Sequence, residues 1–133
     1  WLAQAAVPVM RQRGGGKIIN VASVNGLRPG RMQGVYSITK AAVINLTQTL
    51  AMELATDNIQ VNAIAPGLIK TRFARAIWEN EDLMETISAR TPMQRIGEPD
   101  EIAGMAVYLA SPASSFATGQ VFVVDGGLSI PLL

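Results

Sequence analysis

Tyr36 and Lys40 stand four residues apart in the run Tyr36-Ser37-Ile38-Thr39-Lys40. On a helix that spacing puts both side chains on one face, where they can meet. A phenol beside an ammonium is a proton-transfer pair: free tyrosine titrates near about 10, and a neighbouring cation favours its ionised form. The chain holds no His and no Cys. That removes the imidazole base, the Ser-His-Asp and Cys-His nucleophile systems and nearly every zinc site, so any proton must be moved by Tyr, Lys, Asp or Glu, without a metal. Ser23 lies thirteen residues before Tyr36, and Pro66-Gly67, Ile69 and Thr71 follow further on. Each has an ordinary explanation when taken alone. A Tyr/Lys pair arises by chance on many helices, Ser23 can be a polar strand terminus, Pro66-Gly67 a strand stop and Thr71 a helix cap.

The elements around these residues give them a common address. Leu2 to Arg13 carries apolar residues at helical spacing, with Pro8 as a kink, and Gly14-Gly15-Gly16 ends it. The β-branched run Lys17 to Ser23 suits a strand inside a parallel sheet, and Asn25 to Gly34 reads as loop. From Tyr36 to Ala55, Val43, Leu46, Leu50 and Leu54 form the apolar stripe of a long helix, with Ala41, Ala42 and Ala51 allowing close packing. Ile59 to Ala65 is a second strand, so a right-handed parallel crossover results. Residues 72–96 read as a lid-like insertion, with Phe73, Ile77, Trp78, Leu83 and Met84 either lining a pocket or anchoring the lid. Pro99 opens a helix whose inner face is Ile102, Met105, Ala106 and Leu109, and Gln120 to Asp125 is a third strand. Ser23, Tyr36 and Pro66-Gly67 thus fall at the carboxyl ends of strands, where parallel sheets meet their ligands.

Composition limits the partners. The chain has 133 residues, enough for one core, and 49% of them are apolar. Its 11 basic and 10 acidic residues are interspersed, leaving no basic stripe for nucleic acid or membrane lipid. No apolar run suits a membrane span and no leader is evident, which points to a cytoplasmic protein. Trp1 in place of an initiator Met, on a helix entered part-way, predicts a truncated chain.

Ser23, Tyr36-Ser37-Ile38-Thr39-Lys40, Asn62-Ala63-Ile64-Ala65-Pro66-Gly67, Thr71, Gly97-Glu98-Pro99 and Val124-Asp125-Gly126-Gly127 occur in the order and spacing of the short-chain dehydrogenase/reductases. Residues 1–133 resemble the second, catalytic half of that family, with a likeness to its 3-oxoacyl-carrier-protein reductase and carbonyl reductase branches. The resemblance implies an α/β fold: the C-terminal half of a doubly wound, Rossmann-like parallel sheet, three neighbouring strands with flanking helices. It implies hydride transfer between NAD or NADP and a small alcohol or ketone. Tyr36 would be the acid/base, Lys40 would support it and hold the nicotinamide ribose, and Ser23 would hydrogen-bond the substrate oxygen. Pro66, Gly67, Ile69 and Thr71 would lie along the nicotinamide and pyrophosphate, and 72–96 would cover the substrate. It also implies a homo-oligomer built through helix 36–55 and strand 120–125.

The glycine-rich turn of the family, which seats the pyrophosphate at a helix N-terminus, is missing here. Gly14-Gly15-Gly16-Lys17 precedes a strand and reads as a helix stop. The choice between NAD and NADP is therefore unreadable, and the 133-residue chain alone is expected to bind coenzyme weakly, to be inactive and to associate through a bared strand edge. Two other readings compete: an inactive oligomerisation module, and a relative of the sugar-nucleotide epimerases, disfavoured by the brief C-terminus.

Overall fold

In the computed structural model, residues 2–130 are described, so the expectation resting on Trp1 falls outside them. Three parallel strands, β1 (Gly16–Val21), β2 (Ile59–Pro66) and β3 (Val121–Val124), form one sheet in the order β1-β2-β3. Ile18 lies opposite Val61 and Ala65 opposite Val123. β2 is central, and both its faces are covered: Ile59, Val61, Ala63, Ile64 and Ala65 are all buried. That explains its lack of polar alternation. Odd-numbered β2 residues pack under α1 (Leu2–Gln12) and α2 (Gly34–Leu54), with Val7, Ala51, Leu54, Ile59 and Val61 in one cluster and Ala22, Ile44 and Ala63 in another. α5 (Pro99–Ala110) covers the opposite face through the buried Leu109.

Polar residues tie the layers together. Buried Asn62 donates to Ala117 O at 2.7 Å and accepts from Gln120 N at 3.1 Å, which fixes the entry to β3. Asn20 donates to Thr47 Oγ1 at 2.9 Å, joining β1 to α2. These bonds leave no buried polar side chain without a partner among the described residues. α5 begins as its sequence demands, with Pro99 in its first turn and a reciprocal cap between Glu98 and Glu101.

Two expectations need correction. The first strand ends at Val21, short of Ser23, because the chain turns at once into a single 3-10 turn over Val24–Gly26. And the buried face of α2 is Ser37, Ile44, Thr47, Ala51 and Leu54, while Leu46 is half exposed and Ala41 and Ala42 face out. Of the expected stripe, Leu54 is buried and Val43 and Leu50 pack against the core, so only Leu46 departs from it; Ser37, Thr47 and Ala51, which carry little periodicity signal, complete the contact face. Asn20 supplies a second partner for the buried Thr47 hydroxyl.

Candidate active site

β1 delivers the chain to Ser23, whose Oγ accepts the Asn25 N–H at 3.2 Å and so caps the 3-10 turn. Accepting that bond leaves the hydroxyl proton free to donate. The turn then lies directly on α2. A Cβ placed on Gly26 would stand 2.7 Å from the Lys40 carbonyl carbon and 2.9 Å from Ala41 N, so only glycine permits this approach. Ser23 is thereby held against the helix that carries Tyr36 and Lys40.

Lys40 donates from Nζ to Val21 O, the last carbonyl of β1, at 3.0 Å. The same ammonium lies 5.6 Å from the centre of the Tyr36 ring. One helical turn therefore brings the pair together as its spacing predicts, and the strand end fixes the cation there. The loop 27–33 folds back on the helix: Gly30 N donates to Ser37 Oγ at 3.3 Å, and Asn25 bonds Gln33. Across from it, the Phe73 ring stacks on Tyr36 with centres 6.1 Å apart, although Phe73 is otherwise largely exposed.

Pro66 ends β2, and Gly67 passes so close to β3 that a Cβ would meet Asp125 at 2.7 Å. Ile69 forms an isolated parallel bridge with Gly97, in which Lys70 N donates to Gly97 O and Gly97 N to Leu68 O. The N–H groups of Leu68 and Ile69 find no acceptor among the described residues. Thr71 Oγ1 accepts from Ala74 N at 3.3 Å, and Thr71 O accepts from Trp78 Nε1 at 2.8 Å. Thr71 thus anchors the first helix of the 72–96 segment, α3 (Arg75–Trp78), which α4 (Glu81–Arg90) follows behind the cap of Asn80. Of the apolar residues in 72–96, Phe73 reaches Tyr36, Trp78 bonds back to Thr71 O, and Leu83 is exposed.

Two supports went unrecognised in the sequence. Asp125 accepts from Gly127 N at 2.9 Å and Ser129 N at 2.7 Å, fixing the turn that backs Gly67. Arg95 pairs with Glu101 at 2.6 Å beside Gly97. The hydrogen bond from Arg95, followed by that from Glu98 N, holds the Glu101 carboxyl down to about 2, and the same pair raises the Arg95 guanidinium. The Asp-Gly-Gly spacing and the acidic first turn of α5 are the signals that point to them. A cleft of about 600 Å³ lies between the 70–78 stretch and residues 84–96, lined by Lys70, Trp78, Met84, Ser88 and Arg95, and it includes none of Ser23, Tyr36 and Lys40. Among the described residues no cluster of His, Cys, Asp or Glu could hold a metal, and no helix is long and apolar enough to cross a membrane.

The profile of a family described as Enoyl-(Acyl carrier protein) reductase matches residues 1–129. Dehydrogenase/reductase SDR family member 4 of Oryctolagus cuniculus is 44% identical over 126 residues, covering 95% of this chain and 48% of the relative. Nodulation protein G of Azospirillum brasilense is 46% identical over 128 residues, covering 96% and 51%. The solved gluconate 5-dehydrogenase of Burkholderia cenocepacia J2315, in complex with NADP and tartrate, superposes with a TM-score of 0.96 at 40% identity, covering 98% of this chain and 51% of that one. The chain spans about half the length of these relatives.

Proposed function

Because the chain belongs to the short-chain dehydrogenase/reductase family, we propose that it forms the proton-transfer side of an NAD(P)-dependent oxidoreductase acting on an alcohol or carbonyl, with Tyr36 as its acid/base. The observation that carries this reading is the Lys40 ammonium, anchored on Val21 O and 5.6 Å from the Tyr36 ring. A fixed cation stabilises negative charge on a phenol oxygen without waiting for solvent to reorganise. In reduction Tyr36 gives its hydroxyl proton to the substrate oxygen, and in oxidation it takes that proton back. Ser23, its own oxygen occupied by Asn25 N, donates its O–H to the same substrate oxygen. Phe73 stacks on the Tyr36 ring and so helps to fix its orientation.

The unclaimed N–H groups of Leu68 and Ile69 fit a nicotinamide, whose carboxamide oxygen needs donors there. When bound, that coenzyme accepts or delivers the hydride. Pro66, Gly67, Ile69 and Thr71 would hold its nicotinamide end and Lys40 its ribose. The NADP-bound gluconate 5-dehydrogenase supports the coenzyme class. The test is Tyr36→Phe in the coenzyme-supplied enzyme: turnover is lost while coenzyme affinity is kept, and near-normal turnover would refute the role.

The second reading, an assembly module, draws on α2. Val35, Ile38, Leu46 and Met52 are exposed on its outer side, an apolar stripe suited to a second copy of the helix. The two readings are compatible. A monomer at micromolar concentration would count against self-association.

A further inference from the structure

The basic and acidic residues nearly balance over the whole chain but are segregated around Tyr36. No Asp or Glu occurs from residue 14 to residue 52, nor from 58 to 78. Those two stretches supply Ser23, the loop 27–33, Tyr36, Lys40 and the 66–73 segment, so every charged side chain they bring to the carboxyl edge of the sheet is a cation. Two acids that follow these stretches are engaged by other groups: Glu79 pairs with Arg75, and Asp125 accepts two backbone N–H groups.

Two of the cations stand apart. Lys40 is fixed on Val21 O, and Lys70 and Arg72 flank Thr71 on the stretch assigned to the coenzyme. Arg28 and Arg31 lie instead on the loop that joins Ser23 to Tyr36, the two groups assigned to the substrate oxygen. Both are exposed, and neither has a carboxylate partner among the described residues. The loop is a defined feature, pinned by Gly30 N to Ser37 Oγ and by Asn25 to Gln33. It also holds Met32 at a φ of 59° with its side chain almost wholly exposed. A non-glycine residue in that backbone region is strained, and such strain concentrates at sites that bind.

We infer that Arg28 and Arg31 bind an oxyanion on the substrate, so that the alcohol or ketone taken at Tyr36 carries a carboxylate or a phosphate at the far end of its chain. The inference rests on the hydride-transfer reading of Tyr36. Guanidinium groups match both anions with paired N–H donors. With neither arginine held in an ion pair among the described residues, the two attract an anion from solution and orient the reacting carbon toward the tyrosine.

The test offers the coenzyme-supplied enzyme 3-hydroxybutyrate and 3-hydroxyhexanoate, each as free acid and methyl ester, together with the matching hydroxyalkyl phosphates. An anion is preferred to its ester by at least about tenfold in kcat/KM, and which anion wins identifies the group. Arg28→Gln with Arg31→Gln brings that ratio toward one by raising the KM of the anion, and added salt acts in the same direction. Calorimetric Kd values are measured in parallel. Anion binding that depends on the arginines but leads to no turnover supports the oxyanion site and sinks the hydride-transfer reading. Equal Kd for acid and ester, or an anion Kd unchanged in the double variant, overturns the inference whether or not turnover is seen. A double variant whose defect lies in coenzyme KM alone overturns it as well.

Discussion

Replacing Gly26 with alanine should injure the site without touching any reacting group. The new Cβ would lie 2.7 Å from Lys40 C, 2.8 Å from Lys40 O and 2.9 Å from Ala41 N. Ordinary contact needs about 3.5 Å or more, so the 3-10 turn must withdraw from α2 by roughly 0.7 Å. The obstacle is helix backbone, which cannot rotate aside as a side chain would. Overpacking of this kind costs about 1–3 kcal/mol. Ser23 and Tyr36 sit on the two elements being forced apart, and a misplacement approaching 1 Å can cost about a hundredfold in rate. Gly26→Ala is therefore expected to lower the urea midpoint moderately and turnover severely. Urea denaturation and coenzyme-linked turnover, measured on one preparation, check both. Wild-type stability together with wild-type turnover would show that the turn is not held as described.

Gly104 lies exposed within α5, and a Cβ there meets nothing within 4 Å. Gly104→Ala should stabilise the protein by about 0.5–1 kcal/mol, visible as a higher urea midpoint. Ser23→Ala removes the acceptor of Asn25 N and the proposed substrate donor; a loss of about 0.5–2 kcal/mol in stability and roughly a hundred- to thousandfold in turnover is expected from denaturation and kinetics. Glu101 is held down to about 2 by Arg95 and Glu98 N, so its ionised form belongs to the folded state. Its stabilising contribution is full above the ordinary value of 4.5 and is lost as pH falls through about 2. The difference in urea midpoint between wild type and Glu101→Gln should shrink over that interval, and a constant difference would contradict it.

What the sequence reveals here depends on how local the cause is. The Tyr36/Lys40 pair needs only helical periodicity to be read, and the structure places the ammonium 5.6 Å from the ring. The three strands are equally local, since apolar runs between glycines, Pro66 and Asp57-Asn58 leave few alternatives, and their parallel order follows from the crossover. The contact face of α2 is not local. Thr47 is wholly buried, its hydroxyl donating to Val43 O within the helix and accepting from Asn20, 27 residues earlier. No window along the helix contains that fact, so an apolar count selects Leu46, which the fold leaves half exposed. The same applies to Gly26. Its glycine looks like loop punctuation until the turn is seen resting on the backbone of Lys40. The proposed chemistry is written in residue types that stand out in a chain with no His and no Cys, whereas the positions that align those residues are glycines, a threonine and an asparagine whose contacts cross between elements. Substitutions that are conservative by type at Gly26, Thr47 or Asn20 should therefore disturb the site more than most changes on helix α4, which has no buried residue.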